Sequence, residues 1–192
     1  METVDRLVKQ VSSLFARLGG AMVVLIAIGI SIDVVTRNLS GQTVLNSYEF
    51  STYLFAISIS LGLSYTALSG AHIRVDIMLT VFPPALRRLL DFVAFLSLAA
   101  LAVLLAYLSI RLALTSFSRH TMSSSALAFP LGPPQMAWAI GFAVFALTCV
   151  LLTVQHGLHL LNGRSAEADR IGRFGQDEEV AEAVAEARHR EA

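Results

Sequence analysis

Five histidines, one cysteine and a handful of acids inside apolar surroundings are the side chains in this chain that could do chemistry. A haem-binding bundle needs histidines facing one another from different helices within the membrane. His156 and His159 share one apolar stretch near its end, His72 and His120 fall in connecting segments, and His189 lies in a charged tail. They read as interfacial or solvated residues. No H-E-x-x-H, C-x-x-C or G-x-x-x-x-G-K-[ST] pattern is present. A single cysteine, Cys149, excludes an intrachain disulfide and any all-thiolate metal site, and in an apolar run it reads as a small buried residue. Catalysis therefore has no positive support, and neither a cofactor nor a metal is expected.

The remaining candidates are acids and small residues. Asp33 is followed four residues later by Arg37, a spacing that puts both on one helical face and offers a structural ion pair, since a lone carboxylate in hydrocarbon is costly. Glu49 opens an apolar run, where an acid complements the helix dipole or contacts another subunit. Ser58, Gly62, Thr66 and Gly70 recur every four residues along that run. Such a row lets helices approach closely and hydrogen-bond, either within the chain or to a partner protein.

The elements that must position these residues follow from the charge distribution. Of 192 residues, 55% are hydrophobic and only 15% charged, against ~25% charged in an average soluble domain. Mean hydropathy is +0.67. A net formal charge of zero lacks the clustered basic excess of a nucleic-acid footprint, so no nucleic-acid partner is expected. Crossing ~30 Å of hydrocarbon takes ~20 apolar helical residues. Four stretches meet this, from Leu18 to Val35, Phe50 to Leu68, Phe92 to Ile110, and Met136 to Gln155 with a continuation to Leu161. The expected fold is an all-α integral membrane protein whose helices cover about 18–36, 49–69, 89–112 and 135–160. Unbroken apolar runs exclude a β-barrel.

Residues 1–17 are expected to form a separate amphipathic interfacial segment. Val4, Leu7, Val8, Val11, Leu14 and Phe15 recur at helical spacing, and Gly19-Gly20 favours a bend after them; the alternative is a plain extension of the first helix. Residues 70–88 are too apolar to float and too charged to span, so they read as a second interfacial segment between helices two and three, ended by Pro83-Pro84, which can also start the next helix. Pro130, Gly132, Pro133 and Pro134 mark a stop before the fourth helix. A transmembrane domain over 18–161 is thus followed, at 162–192, by a tail with eight acids and five arginines, expected to be cytoplasmic and partly disordered.

Lys and Arg set the orientation. With both termini on one side, that side carries 11 of them and the other only Arg37, Arg111 and Arg119. Without the tail the bias is still six against three, which predicts cytoplasmic N- and C-termini. The positively charged region before the first span is too long for a signal peptide, and no small-residue cleavage site follows it, so an uncleaved helix is expected.

At the second helix the sequence resembles a known family. Tyr48-Glu49-Phe50, an uncharged helix rich in small residues, Thr66-Ala67, and then Gly70-Ala71-His72-Ile73-Arg74-Val75-Asp76 resemble the DctQ-like small membrane subunit of tripartite ATP-independent periplasmic (TRAP) transporters. In that family an acid opens helix two and a G-x-H-I-x-V-D run closes it. Arg37 after Asp33-Val34-Val35-Thr36, Ala126-Leu127 to Pro130, and Ile140-Gly141-Phe142 are similar in the same order, so the likeness covers roughly residues 15–160.

The resemblance implies a scaffold for a large multi-helix membrane subunit in the bacterial inner membrane. That subunit would import an organic acid or related solute by ion-gradient symport, after delivery by a periplasmic binding protein. His72, Arg74 and Asp76 join Arg37, Glu49 and the small-residue row as motif and contact candidates. The alternatives are a stand-alone four-helix structural or signalling protein and, more remotely, a haem-binding anchor of an oxidoreductase.

Overall fold

The computed structural model describes residues 2–40, 47–69, 83–125 and 128–161. Four helices make up nearly all of this: α1 (Glu2–Ser40), α2 (Ser47–Leu68), α3 (Pro84–Ser118) and α4 (Gly132–Leu161). Each contains a run long and apolar enough to cross a membrane, namely Arg6–Leu39, Ser47–Leu68, Arg88–Ser118 and Gly132–Leu160. The second interfacial segment expected at 70–88 lies largely outside the described residues, as do Gly70, His72, Arg74, Asp76 and the tail.

Three helices are longer than the apolar runs suggested. The amphipathic turns expected to stand apart at 1–17 are the first turns of α1 itself, which runs without interruption through Gly19-Gly20 for 39 residues. Gly19 serves close packing instead of a break, because a Cβ there would lie 2.8 Å from the Ser58 carbonyl oxygen. α3 begins at Pro84 and ends at Ser118. α4 begins at Gly132, so Pro133 and Pro134 lie in its first turn instead of ahead of it. First-turn N–H groups have no intrahelical acceptor, so a proline there forfeits nothing.

Burial is inverted relative to a soluble helix. Along α1 the buried row is Ser12, Gly19 and Asp33, with Ile26 half-buried, one residue every seven. Leu25, Ile28, Ile32 and Val35 point outward. Along α3 the buried row is Ala99, Ala102, Ala106, Ser109, Ala113 and Ser116, spaced three and four apart, while Leu101, Leu104, Leu108 and Leu112 are exposed. Lipid tails are as apolar as leucine, so apolarity alone gives helices no reason to associate. Small residues that admit close approach do. Several buried hydroxyls are satisfied by their own helix: Ser58, Ser60 and Ser109 donate to the carbonyls of Phe55, Ile57 and Ala106 at 2.8, 2.8 and 3.0 Å. This back-bonding satisfies a hydroxyl where no water is present, whereas the buried Ser12 and Ser64 hydroxyls make no hydrogen bond.

The chain divides into two compact units, Met1–Tyr65 with Ala102–Ala146, and Thr66–Leu101 with Leu147–Ala192. In the first, Gly141 of α4 lies against Ser60 of α2, and Gly132 against the Phe117 ring. In the second, Thr153 Oγ1 is 3.0 Å from the Phe95 carbonyl oxygen and 2.8 Å from that of Cys149, which ties α4 to α3.

Candidate functional site

A polar cluster lies in the first unit, where the first turns of α2 meet the segment between α3 and α4. α3 ends in a Schellman turn: Thr121 N–H donates to the Ser116 carbonyl at 3.0 Å and His120 N–H to that of Phe117 at 3.3 Å. His120 takes the left-handed conformation this motif requires, with φ of 49°. The chain then folds back on itself. Ser123 N–H donates to the Phe129 carbonyl at 2.8 Å and Leu131 N–H to that of Thr121 at 3.0 Å, and Met122 and Pro130 form an antiparallel bridge. A second positive φ, 44°, falls at Ala128.

This segment is fastened to α2 through Glu49, a buried carboxylate. Ser125 Oγ donates to Glu49 Oε2 at 2.5 Å and Tyr53 Oη to Oε1 at 2.8 Å. The Ser123 hydroxyl engages the same carboxylate. Phe129 packs beside them, edge-on to Phe50 at 5.7 Å and stacked on Tyr53 at 5.8 Å. A buried carboxylate needs partners, and three hydroxyls provide them. Sequence reading found Glu49 but assigned it to dipole capping or partner contact. Its role as the anchor of a distant loop was missed, because Ser123 and Ser125 signal nothing by type or spacing.

The other predicted residues separate in the structure. Asp33 is buried and accepts a hydrogen bond from Ser47 Oγ at 2.7 Å, which joins the end of α1 to the start of α2. Arg37, one turn on, is exposed. Of the small-residue row, Ser58 is buried and meets α1 at Gly19. A Cβ added to Gly62 meets no heavy atom within 4 Å, and Thr66 is half-buried.

His156, expected at an interface, is instead fully enclosed at 0% exposure in the second unit, with the Phe92 ring 6.4 Å and the Phe95 ring 5.2 Å away. Among the described residues no group of three His, Cys, Asp or Glu side chains could hold a metal ion. The arrangement builds helix contacts and fastens a loop.

Four long apolar helices with small and polar residues inside and large apolar ones outside define a multi-pass helical membrane protein. The family model described as "Tripartite ATP-independent periplasmic transporters, DctQ component" matches residues 26–157, more than half of the chain, and the protein belongs to that family. The matched range runs from mid-α1 to the His156 region of α4 and includes the Glu49 cluster. Neither a curated protein nor a solved structure matches the chain significantly.

Proposed function

We propose that this chain is the small, non-catalytic permease subunit of a TRAP transporter, a scaffold holding a large multi-helix membrane subunit in place. On this reading the large subunit imports an organic acid or related solute by ion-coupled symport, and a periplasmic binding protein delivers that solute. The chain lies in the bacterial inner membrane with both termini cytoplasmic, in accord with the Lys and Arg bias. The loop fastened by Glu49 then faces the periplasm, where the binding protein docks.

The observation that carries the scaffold reading is the contrast among glycines. Gly19, Gly141 and Gly157 are filled by this chain's own atoms, at 2.8, 2.5 and 3.1 Å from where a Cβ would stand, whereas a Cβ at Gly62, as at Gly20 and Gly29 of α1, would meet no heavy atom within 4 Å. Gly62 sits mid-way along the small-residue row of α2. A glycine kept clear on a membrane helix is suited to close approach by a second helix. We place the large subunit there, with Thr66 beside it and the Gly70–Asp76 motif, including His72 and Arg74, continuing the contact, while Ser58 of the same row is taken up by α1.

The test is a mild-detergent purification of the tagged chain from its native membranes. The reading expects a much larger membrane protein in near-equal amount, and its loss in Gly62→Leu while the variant chain still unfolds at the wild-type temperature. A chain that purifies alone overturns it.

A further inference from the structure

In the first unit, α1 and α2 leave between them an apolar groove of about 110 Å³. Leu25, Gly29 and Ile30 form one wall and Ser47, Phe50 and Leu54 the other. Both walls belong to membrane-spanning helices. Gly29 is what keeps the groove clear, because a Cβ there meets no heavy atom within 4 Å. The α1 wall continues along one helical row, Gly29, Asp33, Arg37, at four-residue steps toward the helix end. Asp33, between them, is turned into the protein, buried and accepting from Ser47 Oγ at 2.7 Å. Arg37 is exposed in the last turn of α1, about 12 Å along the axis from Gly29 at 1.5 Å per residue.

We infer that this groove binds one phospholipid, its acyl chain between α1 and α2 and its phosphate on the Arg37 guanidinium. The chemistry matches at both ends. A dry apolar groove inside the bilayer takes an alkyl chain, since no polar occupant could satisfy its groups there. A guanidinium at a helix end pairs with a phosphate diester through parallel N–H donors, and its five donors leave it able to do so beside Asp33. The axial distance from Gly29 to Arg37 is that between the upper acyl chain and the phosphate of one lipid. The site uses this chain alone and does not depend on the scaffold reading.

Native mass spectrometry of the purified full-length chain, titrated with phosphatidylglycerol and, in parallel, with the matching diacylglycerol that lacks phosphate, tests this. The expected result is one retained phosphatidylglycerol and no retained diacylglycerol. Arg37→Gln and Gly29→Leu each lower retention by about tenfold or more. Gly20→Leu, at another glycine with nothing within 4 Å but outside the groove, leaves retention unchanged. Equal retention by wild type and Gly29→Leu, or of both lipids by wild type, overturns the proposal. So does a Gly29→Leu variant that keeps its lipid yet loses a co-purifying large membrane protein, because the groove is then a helix seat.

Discussion

Ser60 of α2 occupies the space a side chain would take at Gly141 of α4: a Cβ built on Gly141 falls 2.5 Å from Ser60 Oγ and 2.8 Å from its carbonyl carbon. The second contact is with backbone, which cannot turn aside. Gly141→Ala should therefore force the two helices apart and cost about 1–3 kcal/mol, the usual range for overpacking, despite alanine's better helix propensity. Gly62→Ala, with nothing within 4 Å, should be neutral or gain up to ~1 kcal/mol. Unfolding of the two variants in one detergent, followed by near-ultraviolet circular dichroism, compares them directly.

Glu49 gives a second prediction. Removing its carboxylate in Glu49→Ala leaves the hydroxyls of Ser125 and Tyr53 without their acceptor. The segment from Arg119 to Leu131 should detach while the helices persist. Trypsin cleavage after the exposed Arg119 should quicken severalfold in Glu49→Ala and less in Glu49→Gln, which keeps one acceptor oxygen.

His120 ends α3 in a conformation that suits glycine, with φ of 49° and the paired hydrogen bonds of a Schellman turn. For a residue with a Cβ this conformation costs ~1–2 kcal/mol, part of which glycine returns to the unfolded chain as entropy. His120→Gly should raise stability by some tenths to ~1 kcal/mol, read as a higher Tm. A lower Tm would mean that the imidazole makes a contact worth more than the strain.

Thr153 joins α4 to α3 in the second unit through the Phe95 carbonyl at 3.0 Å, yet its hydroxyl also has the Cys149 carbonyl at 2.8 Å. Because the unfolded helix keeps the second acceptor, Thr153→Val should cost only about 0.6 kcal/mol and at most ~1.7. A steric-trap or denaturing-detergent titration resolves that difference.

The spans were legible because burial in a membrane needs no tertiary information: ~20 apolar residues announce themselves. Where the helices end was less legible. Hydropathy falls at Leu18 and at Ile110, but the hydrogen-bond ladder continues to Glu2 and to Ser118, since nothing in either flank breaks it. Pro133 and Pro134 were read as a stop, although the same chemistry permits a start, because a proline forfeits no hydrogen bond where the helix has no acceptor for its N–H.

At the site, Asp33, Glu49 and the row of small residues stood out by type. Their partners did not. Ser125 is 76 positions from Glu49, and a serine in a run of three serines carries no mark of the carboxylate it will meet. Likewise nothing in the local sequence separates Gly141, pressed against Ser60, from Gly62, where an added Cβ would meet no heavy atom within 4 Å. The distinction is made by a neighbouring helix, as it is for His156, which Phe92 and Phe95 enclose.

The inverted burial of α1 and α3 sets out how this chain is to be re-engineered for water. Along these two helices the buried rows are chiefly alanine, glycine and serine, while most of the leucines, isoleucines and valines point outward. Replacing that outward coat with glutamate, lysine and glutamine, on α1 at positions such as Ile28 and Ile32 and on α3 at Leu104, Leu108 and Leu112, changes only exposed side chains. It spares the buried core, which holds Leu61, Phe95 and Phe145 besides the small residues. A soluble version built this way would owe its association to close packing and hydrogen bonds alone, and how well it holds together in buffer measures how much of the native fold is carried by shape and how much by the bilayer.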